Sequence, residues 1–473
     1  MIPERTWPSE RGRRSWASLL LLLGGVVLFS GLRVGAATRV GTTTCLLVSG
    51  SFWFLAIERV GRRIHPRNGS EDRAALLWIF LGWLGLRVPV LLGATELSDD
   101  VYRYVWEGRL LAEGTSPYAF SPSSPELEGF RARWPELAEL VNHPDVSAVY
   151  PPLAELVFAG TTSLVGRDGD PRDSIRAFRG IFTAFDLGVL VLLLAWLRRK
   201  EQPLLRAAVW AWCPLVALEF AGSAHFDVLA IALFVAGVLL LEGHERAEEP
   251  RGGLRQGAAL ALFCAGALVK LLPAAMVPFA LRGRRSIRSI SAAIVMLVLL
   301  LAPLAFLQGG FSGLDRGVSE YAFRWESFNL VHRWIEGILD PFFARDEGGT
   351  DPRRLARSCA IVAWILVAAW VWRSRFGPGR AGRGLVAGFL ILTPTLHPWY
   401  LTWIVPFLAC HPSRAWTFLL AVAPVLYWPL TEWEEERIWR EPGWMWPAVA
   451  LPFFMMFAAE TIHRRRRPKE GNA

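Results

Sequence analysis

Apolar runs alternate with arginine-rich breaks along most of this chain. Runs near Trp16–Leu32, Val40–Ile57, Ala74–Ala94, Phe178–Leu197, Leu204–Gly222 and Phe226–Leu241 approach or reach the ~18–20 residues that cross hydrocarbon as a helix. Arg11, Arg13 and Arg14 precede the first run, and Arg59, Arg62, Arg63, Arg67 and Arg73 crowd the link between the second and third. Basic residues collect on the cytoplasmic side, so the pattern predicts a cytoplasmic N-terminus and a third span that ends outside. The first run lacks a convincing small-residue cleavage motif and reads as a start-in anchor rather than a signal peptide.

A long segment from Thr95 to Ala177 then stays outside. It predicts an amphipathic interfacial helix near Val101–Ala112, with Val101, Val105, Gly108, Leu111 and Ala112 on one face and Arg103 and Glu107 on the other. Pro117, Pro122, Pro125 and Pro135 break the chain repeatedly after that helix. The apolar stretch Leu153–Val165 is about thirteen residues, too short to span, and reads as a second interfacial helix. The next span then ends with Arg198, Arg199 and Lys200 inside.

Two later runs are too long for one ordinary crossing and carry breakers within them. Gly257–Leu281 holds Lys270 and Pro273, and Leu385–Cys410 holds Pro394, His397 and Pro398. Each is either one broken helix or a pair of half-helices. Pairs keep the arginine clusters at 282–288 and 373–383 inside, and we read them so. The total is about 12–14 membrane segments, with a second outer loop at 308–354. The organisation predicted is a pair of helices over 1–73 and a membrane catalytic domain over 74–473, with its outer catalytic loop at 95–177.

Composition sharpens the class. Of the 473 residues 53% are hydrophobic, with 23 Trp and 31 Pro, and the mean hydropathy is +0.32. A soluble domain has no use for that much apolar surface, so the fold class is an all-α polytopic membrane protein. The formal charge of +9 comes from arginines beside apolar runs, which points to a lipid bilayer partner and not to nucleic acid. Cys45, Cys213, Cys264, Cys359 and Cys410 show no metal-ligand spacing and read as small core residues.

The chemistry gathers at Ser98-Asp99-Asp100. Read structurally, Ser98 caps a helix and the carboxylates favour its dipole. Read chemically, one carboxylate takes the proton of an attacking sugar hydroxyl while its neighbour holds substrate or metal. Carboxylates at a membrane face are costly to desolvate, which favours the chemical reading. Arg103, Arg109 and Lys270 are candidates for a phosphate, and Lys270 within an apolar run needs a partner or a cavity. His225 and Asp227 share a tight outer turn, and His397 sits at a helix break beside Trp399 and Tyr400. These fit either helix starts and interface anchors or a substrate site. Tyr150-Pro151-Pro152-Leu153 sets a rigid lead into the second interfacial helix, and Tyr150 completes the substrate-binding set. Tyr321, Trp325 and Trp334 in the second outer loop could stack on sugar or form an aromatic belt. The metal is left open: a divalent cation fits the chemistry but nothing requires it. A transporter or flippase, or a non-catalytic subunit of a glycan assembly complex, is the rival. The lack of internal repeats and the intact acidic pair weigh against both.

These residues resemble the glycosyltransferase-C superfamily, in its branch of polyprenyl-phosphate-mannose-dependent mannosyltransferases. The likeness rests on Ser98 to Gly108 with Gly114-Thr115-Ser116-Pro117-Tyr118, on Asn142-His143-Pro144 through Leu153, and on Gly222 to Asp227 with Lys270-Leu271-Leu272-Pro273 and His397-Pro398-Trp399-Tyr400. The resemblance implies a hexose, most readily mannose, moved from a polyprenyl-phosphate donor to a glycan or lipid acceptor hydroxyl outside a bacterial-type plasma membrane. It also implies Asp99 as the base, Asp100 as its partner, and inversion at the sugar. The helix pair at 16–57 has no counterpart in it, and no large soluble domain follows the last span.

Overall fold

The computed structural model describes residues 24–25, 39–61, 69–93, 97–166, 168–242, 252–282, 287–315, 317, 319, 325–343, 351–430 and 439–466. The expected first span, Trp16–Leu32, and Tyr321 lie outside them, apart from two residues of the former. Among the described residues the chain is helical, without a strand, and its one isolated bridge joins Thr115 to Gln308. Among the described residues five helices are long and apolar enough to cross a bilayer: Val40–Arg59, Asp72–Leu92, Pro171–Arg199, Pro352–Arg373 and Met445–His463. A sixth forms if Leu204–Ala211 and Pro214–Gly222, bent by 57°, count as one. The remaining predicted segments are shorter pieces. Asp227–Glu242 and Gly252–Ala267 have 16 residues each and Pro378–Leu392 has 15, or roughly 22–24 Å at the helical rise. The chain is an integral membrane protein of all-α class.

Two compact units organise it. One comprises Met1–Thr95, Leu193–Leu218 and Leu408–Ala473; the other comprises Glu96–Leu192 and Glu219–Phe407.

In the first unit a proline break explains a buried charge. Pro214 has no N–H and cannot satisfy the carbonyl of Trp210, one turn before it. Arg87, fully buried in the Asp72–Leu92 helix, donates to the carbonyls of Ala211 at 2.5 Å and Trp210 at 3.5 Å. Close approach makes this reach workable. A Cβ on Gly82 would sit 2.2 Å from Nε1 of Trp212, which donates to the Trp78 carbonyl at 3.2 Å. Arg87→Leu would take the donor from the Ala211 carbonyl, at about 1–3 kcal/mol, while Trp210 keeps the Cys213 N–H at 3.2 Å. We expect a clear fall in melting temperature in detergent, and an unchanged transition would remove Arg87 from this role.

In the second unit the Asp100–Ala112 helix lies against Pro152–Val165, the latter begun by Pro151 and Pro152 as the Tyr-Pro-Pro-Leu motif predicts. The two backbones meet at Gly108, where a Cβ would come within 2.5 Å of the Phe158 carbonyl oxygen. One expectation is corrected here. Arg103 and Glu107 do not ride a polar face at an interface: they are 1% and 2% exposed, and the helix is buried nearly all round. Burial is tolerated because the two charges pair at 2.7 Å and Arg103 finds further acceptors nearby.

Tyr104 centres an aromatic cluster, with Phe158 stacked at 4.6 Å and Tyr150, Phe226 and Phe178 edge-on at 5.5, 5.4 and 6.1 Å. Such contacts add to area burial. Their consequence for the site is positional, because anchoring Phe226 fixes its neighbours His225 and Asp227 beside the first turn of the Asp100–Ala112 helix. The Asp227–Glu242 helix is apolar on every side and buried at most positions, the mark of a core helix. The two long loops are tied together as well: Gln308 donates to Gly114 at 3.2 Å, and Ser116 donates to Gln308 at 3.1 Å. Leu111, Tyr118, Ala148 and Leu304 pack beneath that tie.

Candidate active site

The acidic pair opens the Asp100–Ala112 helix, with Asp99 at the N-cap, but no side-chain capping hydrogen bond forms there. The carboxylates are not spent on the helix. One amide group holds both instead: Nδ2 of Asn142 donates to Oδ1 of Asp99 and to Oδ1 of Asp100, each at 2.9 Å. Asp99 is open to solvent, yet protein crowds around it. Its pKa is raised, first by burial and then by the Asp100 charge, against the opposing pull of Asn142.

Ser98 and Asp100 face His225. The imidazole Nε2 lies 3.1 Å from Ser98 Oγ and 3.8 Å from Asp100 Oδ2. Nδ1 lies 2.8 Å from Oε2 of Glu219, and both side chains are fully buried. A carboxylate on one ring nitrogen fixes the tautomer and leaves the other nitrogen to act on Ser98 and Asp100. The turn is strained to achieve this. Glu219 ends in a π-helical turn, Leu218–Gly222, His225 N donates back to the Glu219 carbonyl at 2.8 Å, and Ala224 takes φ +58°. Such outliers cost free energy and cluster at functional sites.

Lys270 sits in the break after Gly252–Ala267. Its ammonium is 2.8 Å from both oxygens of Asp227, and Nε1 of Trp403 donates to Asp227 Oδ1 at 2.8 Å. The rings of Phe226 and Tyr400 lie 5.1 and 4.7 Å from Nζ. His397 sits in the second break, before Pro398–Ile404. Trp399 stacks between the two histidines, 4.1 Å from His225 and 4.3 Å from His397. The segments bearing Asp99, Asp100, His225, Asp227, Lys270 and His397 thus come together from four stretches of sequence.

The other predicted residues lie differently. Arg103 turns inward: Nε takes Glu107, and the terminal nitrogens donate to the carbonyls of Asn142, His143 and Val146 at 3.0, 3.2 and 2.5 Å. Arg109, nine residues past Asp100, donates to the Gly169 carbonyl at 2.6 Å and stacks on Trp134 at 3.9 Å. Tyr150 lends its carbonyl to the Tyr118 hydroxyl at 2.7 Å, and its ring joins the aromatic cluster. Neither arginine is brought to the acidic pair as a phosphate ligand. Trp325 stacks on His143 at 4.5 Å, while Trp334 is exposed. Among the described residues no group of three or more His, Cys, Asp or Glu converges as a metal cage. Asn142 turns its amide hydrogens toward Asp99 and Asp100, so the donor set suits an amide better than a resident cation.

Sequence reasoning gave no role to Asn142, Glu219, Trp399 or Trp403. Glu219 carried a signal, a carboxylate inside the apolar run Leu204–Gly222. Asn142 carried none beyond its place in a recognisable stretch.

Comparison with known proteins agrees with this picture. A family described as alpha-(1->6)-mannopyranosyltransferase, N-terminal domain, matches residues 19–282. Alpha-(1->6)-mannopyranosyltransferase A of Mycobacterium tuberculosis is 24% identical over 433 residues, 83% of this chain and 75% of its own. Alpha-(1->6)-mannopyranosyltransferase B of Corynebacterium glutamicum is 24% identical over 478 residues, 88% of this chain and 76% of its own. No solved structure matches. With more than half the chain matched, helices fit for a bilayer and relatives named for one chemistry, the protein belongs to the alpha-(1->6)-mannopyranosyltransferase family and is an integral membrane mannosyltransferase.

Proposed function

We propose that the protein moves mannose from a polyprenyl-phosphate carrier to a glycan hydroxyl on the extracytoplasmic side, with Asp99 as general base. One observation carries the reading. The acidic pair is accessible, free of capping duty and held by a single neutral amide, beside a turn that presents His225 and the Lys270–Asp227 pair. The acceptor oxygen attacks the anomeric carbon while Asp99 takes its proton. The bond from that carbon to the phosphate oxygen breaks, and the electron pair leaves on the phosphate. Configuration at the carbon inverts. Burial and the Asp100 charge raise the pKa of Asp99, which makes its carboxylate a stronger base. Lys270, steered by Asp227, is the fixed charge we assign to the leaving phosphate, and His397 across Trp399 is a neutral hydrogen-bonding group beside it.

The side follows from charge. Arg73 lies in the first turn of Asp72–Leu92, and Arg198 and Arg199 close Pro171–Arg199. The loop between these helices therefore belongs away from the cytoplasm. The relatives' names carry an alpha-(1->6) linkage, which we extend to this product.

Purified protein given radiolabelled mannosyl-phosphoryl-polyprenol and a mannan acceptor is expected to move label into the acceptor, and GDP-mannose is expected to supply none. Label arriving from GDP-mannose alone would end the proposal. A chelator arm reads out any divalent cation. In a cysteine-free background, Glu126→Cys should react with an impermeant maleimide on intact cells; protection until lysis would reverse the assigned side.

A further inference from the structure

We propose that a second, buried acid pair, Glu107 and Glu155, acts with Arg103 as a charge-balanced clamp that positions Asn142 and, through it, Asp99 and Asp100. The inference rests on the reading of the acidic pair as the seat of transfer and adds positioning residues to it.

Glu107 lies two turns beyond Asp100 on the same helix, and Glu155 lies on Pro152–Val165, held against it where Gly108 meets Phe158. The two carboxyls are 2% and 0% exposed, and one oxygen of Glu107 and both oxygens of Glu155 are buried without a hydrogen-bond donor. Arg103 supplies the single positive charge. Its Nε meets Glu107 at 2.7 Å, and its other nitrogens take three carbonyls of the 142–146 loop. That loop carries Asn142, whose amide spans Asp99 and Asp100. His143 in the same loop takes φ +46°, a conformation that persists only where its surroundings impose it. From Glu107 the links run through hydrogen bonds to Arg103, to the loop and from Asn142 to the acidic pair; Glu155 acts on that chain through charge and packing.

Two carboxylates against one guanidinium leave one negative charge too many for a buried site. A proton shared between Glu107 and Glu155 removes it. Burial pushes both carboxyls up. Glu155 goes much further because Glu107 adds repulsion, while Arg103 holds Glu107 back. The groups facing Glu155 are Arg103, Glu107 and, from the first long loop, Tyr118; Asp100 acts on Glu107 and Tyr150 on Arg103. Ionising Glu155 would set two carboxylates competing for Arg103 and draw it from the loop carbonyls. A raised acid lends its stability fully below the ordinary glutamate range and loses it as pH climbs through the raised value. The clamp therefore opens on the alkaline side.

Hydrogen exchange of the wild-type chain in nanodiscs reads this directly. Protection over residues 142–147, corrected for intrinsic rates, is expected to fall about tenfold or more as pH rises through the raised Glu155 pKa and local opening becomes easier. Glu155→Gln keeps the shape of the buried side chain without titrating. It should hold that protection constant and move the alkaline limb of kcat upward by about one unit or more. Glu107→Gln removes the negative charge paired with Arg103, leaving only a neutral acceptor, and should lower kcat about tenfold or more with the donor KM unchanged. An exchange pattern over 142–147 that ignores pH, or a Glu155→Gln limb coincident with wild type, overturns the clamp. Asp99→Asn decides the base by activity alone, so failure of that reading and failure of the clamp are separate results.

Discussion

Asp99→Asn is expected to reduce mannosyl transfer about 10²–10⁴-fold, the range that a positioned general base supplies. Asparagine has the shape of aspartate but takes no proton, so expression, melting temperature and donor binding should stay near wild type. Activity is predicted to fall on the acid side as pH drops through the Asp99 pKa. That pKa stands above the usual aspartate value because burial and the Asp100 charge disfavour ionisation. The acid limb of kcat/KM should therefore lie above the ordinary aspartate range and vanish in the variant. Initial rates with labelled donor across pH give both readings. Wild-type turnover by the variant would strip Asp99 of its role.

The second large effect is expected at Lys270. Asp227 is buried, and two of its three close partners are hydrogen bonds to the Lys270 ammonium; the other is Trp403. Lys270→Met would leave an uncompensated buried carboxylate, a change that costs about 3–5 kcal/mol. A large drop in melting temperature is predicted, together with loss of transfer. The double variant Lys270→Met, Asp227→Asn removes both charges and should recover much of the stability while remaining inactive. Recovery of activity along with stability would mean that the pair is structural only.

Particular residues show how far one-dimensional reading reaches. Asp99, Asp100, His225, Asp227, Lys270 and His397 were each flagged because an ionisable group beside or within apolar sequence is expensive. Their segments meet in space. Arg103 and Arg109 were flagged by the same logic, and the structure commits them to carbonyls and to an indole ring. A guanidinium that serves a phosphate and one that ties down a loop look alike in sequence, since both need a cation among apolar neighbours. The helix carrying Arg103 misled for a related reason: its pattern marks a polar stripe and not what covers it.

Amino-acid order alone decides the class of this molecule. Its apolar runs exceed what a soluble core can hide, its arginines orient them, and its prolines and intramembrane polar groups mark where helices break. These are local properties, dictated by the cost of backbone and charge in hydrocarbon. Tertiary structure decides who partners whom. It gives Asp99 and Asp100 one shared amide, His225 a buried carboxylate, Lys270 an aspartate from another helix, and Arg103 a loop rather than a ligand. Those pairings join residues far apart in the chain, and only packing of the aromatic cluster around Tyr104 and the close contact at Gly108 brings them within hydrogen-bond range.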